Sequence, residues 1–149
     1  MLATTQMCCS YLDGQKRKYT LLGENVEGHD IVEVIYIIES KKRITPIWFV
    51  FILTFYPDAS VSIYCELFDA PEEKRAAAIL FANEQNKINR FGRFVYYSDR
   101  QAILLEAEVV LERSSTGRTL YKTLMHLIEV GVDVVSEWGT EWQPARSRK

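Results

Sequence analysis

Two apolar runs in the first half of the chain restrict most what it can fold into. Ile31-Val32-Glu33-Val34-Ile35-Tyr36-Ile37-Ile38 is too rich in β-branched residues to favour a helix and reads as a strand. Ile47 to Tyr56 is apolar at odd and even positions alike, the pattern of a central strand covered on both faces. Lys41-Lys42-Arg43 and Pro46 separate the runs and predict a turn between them. After the turn chemistry of Pro57-Asp58-Ala59, the residues Val61, Ile63, Cys65 and Leu67 alternate with Ser60, Ser62, Tyr64 and Glu66. The simplest assembly is a three-stranded antiparallel meander.

A helix is predicted next, with Asp69 as its capping oxygen, Pro71 in its first turn and Glu72 and Glu73 near the positive end of its dipole. Its apolar stripe reads Ala77, Leu80, Phe81, Ile88, interrupted by Glu84. Strands over 91–97 and 102–112 form a second hairpin around Ser98-Asp99-Arg100. Ile103, Leu105, Ala107, Val109 and Leu111 face one way, and Glu106, Glu108 and Glu112 face the other. Ser114, Ser115 and Thr116 offer hydroxyl caps for a last helix with Leu120, Leu124, Leu127, Gly131, Val134 and Trp138 along one side. A glycine inside that stripe costs about 1 kcal/mol of helix propensity, which makes sense where a strand approaches closely. The expected fold class is therefore α+β, an antiparallel sheet in the order β-β-β-α-β-β-α with the helices packed on it. Residues 1–28 show no strong helical stripe and predict at most one short helical turn or strand. Residues 29–142 form a single domain, and 143–149 are a polar tail.

A chain of 149 residues suits one domain, and 48% apolar with 26% charged residues is the balance of a globular protein. A formal charge of −2 gives no drive toward phosphate backbones or anionic lipid, so nucleic acid is not expected as a partner. The start carries no basic and apolar signal pattern, and the longest apolar run is about half the roughly 20 residues of a membrane span. No membrane partner is expected. Cys8, Cys9 and Cys65 form neither an even framework nor a C-x-x-C spacing, which points to the reducing cytoplasm.

Reactive chemistry has little to build on. His29 and His126 are the only histidines, and no G-x-S-x-G, G-x-G-x-x-G or P-loop pattern occurs. Glu106, Glu108 and Glu112 read as a solvated acidic face rather than a cation site. Asn83, Asn86 and Asn89 read as a structural junction, because asparagine caps helix ends and bonds the amides of a following strand. No catalytic residue, metal or cofactor is expected.

In order, Pro71-Glu72-Glu73-Lys74-Arg75, Ala82-Asn83-Glu84-Gln85-Asn86, Phe91-Gly92-Arg93-Phe94 and the acidic strand Leu105-Glu106-Ala107-Glu108 resemble the YbjN family. These proteins are called bacterial sensory transduction regulators and share the fold of type III secretion chaperones. The resemblance covers roughly residues 31 to 140. It implies a small dimer-forming, chaperone-like protein without established catalytic residues. Family members open with an amphipathic helix, so the weak pattern of residues 1–28 predicts a degenerate first element.

With both helices on one face of the sheet, Tyr64, Phe68, Phe94 and Tyr96 fall on the other, together with the second faces of strands 31–38 and 47–56. An apolar surface of that kind marks an interface. The function expected is a non-catalytic interaction module, a homodimer that binds a protein client. The alternative is a small-molecule sensor or enzyme that uses the aromatic sheet face as a pocket.

Overall fold

A computed structural model describes residues 1–39, 45–112 and 116–145. The turn triplet Lys41–Arg43, the hydroxyls of Ser114 and Ser115 and the end of the tail, 146–149, lie outside the described residues. The strands are β1 (Tyr19–Val26), β2 (His29–Ile38), β3 (Ile47–Phe55), β4 (Ser60–Asp69), β5 (Arg93–Tyr97) and β6 (Ala102–Val110). The helices are α1 (Ala3–Gly14), α2 (Arg75–Ile88) and α3 (Thr116–Trp138). The strands make one six-stranded antiparallel sheet in the order β1-β2-β3-β4-β6-β5. The fold is α+β, and the expected β-β-β-α-β-β-α order runs from β2 to α3, preceded by α1 and β1.

Residues 1–28 thus hold a full helix and a full strand rather than a single short element. The helix was hidden because its buried stripe is Thr5, Cys8, Cys9 and Leu12. That is a helical i, i+3, i+4, i+7 spacing written in small and weakly apolar side chains. β1 was hidden because its pairing with β2 is interrupted at Leu21/Gly23 and again at Gly23/Val26, which breaks the two-residue period.

All three helices lie on one side of the sheet. Phe49, Phe51, Leu53 and Phe55 of β3 point toward them, as do Val32, Val34 and Tyr36 of β2 and Ile63 and Cys65 of β4, all buried. α3 crosses this surface with Leu120, Leu124, Leu127, Val134 and Val135 buried against it. At Gly131 a Cβ would meet Cε1 of the Phe49 ring at 2.5 Å, so the close approach expected of this glycine is met by β3. α1 lies on α3, with the Tyr11 and Tyr121 rings 5.8 Å apart. α2 packs at the far end, where Phe81 meets Phe68 at 5.9 Å and Trp138 at 5.4 Å between ring centres.

Three local expectations need correction. Pro71 leads into a 3-10 turn, Glu72–Lys74, without a side-chain cap, and Asp69 ends β4 instead of starting the helix. α2 buries Ala78, Phe81, Ala82 and Gln85, so the expected stripe is rotated outward and leaves Leu80 62% and Ile88 72% exposed. The tail is seated at its start. The Asp69 amide donates to the Gln143 carbonyl at 2.8 Å and the Ala145 amide to the Leu67 carbonyl at 2.9 Å. This is open to it because β3–β4 pairing ends at Ile52↔Tyr64, leaving that edge of β4 unpaired beyond. Trp142, against Phe81 at 5.5 Å, anchors the segment.

Asp30 joins α1 to the sheet. It is fully buried, and its carboxylate accepts the Leu2 amide at 2.6 Å and the Asn25 amide at 2.9 Å. Burial pushes this carboxyl up, but Thr5, the two amides and the N-terminal charge together outweigh that and hold it below its ordinary 3.8. A carboxyl lowered on folding stabilises the native state above the unfolded value and stops doing so as pH falls through the folded value. Asp30→Asn turns an acceptor into a donor facing an amide, and is expected to cost about 1–3 kcal/mol at pH 7. Urea unfolding of both forms between pH 7 and pH 2 checks this: the gap should be widest at neutral pH and close in acid.

Candidate protein-docking face

The alternation that aims one set of side chains at the helices aims the other set away, and among the described residues no helix covers that second face. Cross-strand register defines its rows. Glu33, Ile52, Tyr64, Glu106 and Arg93 lie in one row across β2, β3, β4, β6 and β5. Ile31, Thr54, Ser62 and Glu108 form the next. On the other side come Ile35 beside Val50, and Ile37 beside Trp48, with Glu66, Leu104 and Val95 continuing the sheet. Ile35 is 40% and Ile37 51% exposed, while Val50, Ile52 and Tyr64 are half-buried. β3 is therefore not covered on both faces, as its composition suggested, but on one.

The four aromatic residues expected on the open face divide. Tyr64 is there. Phe68 and Phe94 are buried in the core beneath the helices. Tyr96 pairs with Ile103 on the helix side, its hydroxyl 3.4 Å from the Ala70 carbonyl and from Glu72. Phe68 was misplaced because the register shift between Glu66 and Phe68 turns it to the opposite side from its alternation. Phe94 and Tyr96 were misplaced because β5 pairs with β6, so their side is set by Leu105 and Ile103. The residues missed, Val95 and Leu104, needed the same long-range register.

Both outer edges of the sheet are obstructed to an added strand. On β1 the two irregularities interrupt a regular ladder. On β5 the Asn86 side chain imitates a neighbouring strand: its Oδ1 accepts the Phe94 amide at 2.7 Å and its Nδ2 donates to the Phe94 carbonyl at 2.8 Å. Asn89 donates from its side chain to the Gln85 carbonyl at 3.1 Å at the end of α2. Asn86 and Asn89 are thus junction residues, Asn83 is exposed on α2, and the face of the sheet is more open than its edges.

The charges on the open face are unevenly matched. Arg93 donates from Nε to Glu106 at 2.9 Å, and Arg100 from Nε to Glu66 at 2.7 Å. Among the described residues neither Glu33 nor Glu108 makes an ion pair or side-chain hydrogen bond, although Glu108 adds through space to the field of Glu106 that raises Arg93. Glu108 lines a shallow cavity of about 450 Å³ with Tyr56, Pro57, Asp58, Ser60, Val61 and Ser62. Tyr56 stacks edge-on with His29 at 4.5 Å and accepts from Ser62 Oγ at 3.4 Å. His126 is exposed beside Phe91, 5.0 Å between ring centres. Glu112 offers its carbonyl to the Thr116 hydroxyl at 2.7 Å. Among the described residues no group of three or more His, Cys, Asp or Glu converges at metal-binding distance, and no helix is long and apolar enough to cross a membrane.

No family model and no curated protein matches the chain.

The three thiols are buried and unpaired by disulfides. Burial pushes Cys8 and Cys65 up to about 12, and raises Cys9 as well. None should react with iodoacetamide at pH 8 in the native protein, and all three should react in urea. Intact-mass measurement reads the outcome, and fast native labelling of Cys9 would show that α1 opens away from α3.

Proposed function

We propose that this chain is a non-catalytic protein-interaction module of the YbjN kind, a chaperone-like or regulatory adaptor that offers the helix-free face of its sheet to a client. The observation that carries the reading is that face itself: Ile35, Ile37, Val50, Ile52 and Tyr64 form a continuous apolar strip that no helix among the described residues covers. Isolated apolar side chains on a surface need no explanation, but a contiguous strip bordered by charge is the anatomy of a docking site. The obstructed edges support recognition through side chains rather than by strand addition.

The homodimer belongs to the same proposal and has a surface of its own. The outer side of α2 presents Ala77, Leu80, Glu84 and Ile88 along one stripe, with Ile79 beside it, and the Glu84–Lys87 ion pair at 3.0 Å. A two-fold axis would set this stripe against its own copy and leave the sheet face free for the client.

Affinity capture from cytosol with the native protein and with Ile35→Glu/Ile52→Glu tests the docking face. Proteins held by the former and lost by the latter, with far-UV circular dichroism unchanged, are the expected result, and identical captures would count against it. Sedimentation at micromolar concentration tests the dimer: about twice 17.3 kDa for the native chain, and a monomer for Leu80→Glu/Ile88→Glu.

A further inference from the structure

Resting on the reading of the open face as a docking surface, we infer that its occupant is a basic amphipathic segment, one helix with an apolar side and lysine or arginine at its flank. Width and charge both bear on this. The uncovered apolar strip spans β2, β3 and β4, two strand intervals of about 4.8 Å each. The resulting width of about 10 Å is the diameter of one helix.

The charge pattern selects the sign of the flank. The two arginines beside the strip are already engaged, Arg93 with Glu106 and Arg100 with Glu66. The strand residues on this face that hold no direct ion pair are both carboxylates, Glu33 and Glu108, the latter sensed by Arg93 only through space. Glu33 lies inside the strip, half-buried between Ile31 and Ile35 along β2 and opposite Ile52 on β3. Closing any apolar surface over it removes water from a carboxylate, which is costly unless a cation arrives with the cover. Glu108 lies in the next row on β6, about 7 Å along the strands and three strand intervals, about 14 Å, across the sheet from Glu33, just past the β4 side of the strip. There it lines the cavity of about 450 Å³ together with Tyr56, Asp58, Ser60 and Ser62. That cavity has room for a lysine or arginine head, and the polar side chains lining it all end in oxygen atoms, two of them carboxylates. An acidic or neutral segment would bury Glu33 uncompensated. A second copy placed face to face would bring its own Glu33 and Glu108, adding carboxylates where cations are needed.

Two labelled helical peptides with the same leucine and isoleucine positions, one flanked by lysine and arginine and the other by glutamate, test the inference by fluorescence anisotropy. The basic peptide is expected to bind at least tenfold more tightly, and to weaken several-fold between 50 and 300 mM salt. The preference should collapse to within about twofold in Glu33→Gln/Glu108→Gln, which keeps side-chain size and leaves the fold intact. Ile52→Glu should abolish binding of both peptides. Equal affinity for the two peptides, binding that survives Ile52→Glu, or no binding by either overturns the inference. A dimer that Ile52→Glu splits would also overturn it, while leaving the face a docking surface. If capture by the native protein and by Ile35→Glu/Ile52→Glu is identical as well, the underlying reading fails with it.

Discussion

The packing of α3 onto the odd-numbered side chains of β3 organises the rest of the molecule. Phe49, Phe51, Leu53 and Phe55 project toward the helices, and Gly131 lets α3 come down on the Phe49 ring where any side chain would hold it away. α1 lies against α3 and is tied to β2 through Asp30, and α2 lies at the β5 end. Three helices then occupy one face of six strands. Among the described residues the other face receives no helix, and the strand period of two sends every second side chain there whatever its polarity. The uncovered isoleucines are thus the geometrical complement of the core.

Asp30 and Asn86 fix the two ends of this arrangement by similar means. Each is a polar side chain from one element that satisfies backbone amides of another: Asp30 holds the Leu2 and Asn25 amides, and Asn86 pairs with both backbone groups of Phe94. Side-chain contacts of this kind set position more sharply than apolar packing, since a hydrogen bond weakens over a few tenths of an ångström and a few tens of degrees. They explain how α1 and α2, each with a modest buried stripe, are held in register with the sheet.

What could be read from the residues follows from how far apart the deciding contacts lie. The strands β2, β3, β4 and β6 and the helix α3 were legible, because a two- or 3.6-residue period is local. Gly131 was legible too, since an unexplained glycine inside an apolar stripe points to a close neighbour. α1 was not, because Thr5, Cys8 and Cys9 carry its stripe without resembling one. The phase of α2 was not, because Leu80 and Ile88 are larger than the Ala78 and Ala82 that the crowded space beneath admits. For the open face, Tyr64 followed from alternation within β4, whereas Phe68, Phe94 and Tyr96 depended on one bulge and on the pairing of β5 with β6. Those are contacts between distant parts of the chain, and no local period contains them.

The Asn86 clasp on Phe94 has a further consequence for a protein that leaves isoleucines uncovered. Runaway stacking into cross-β fibrils requires edge strands whose backbone groups accept another chain. Here one outermost strand has its amide and carbonyl at Phe94 occupied by a side chain, and the opposite one is irregular from Leu21 onward. On the proposed reading, a client would meet side chains on the open face while the strand edges offer little backbone for self-templated stacking.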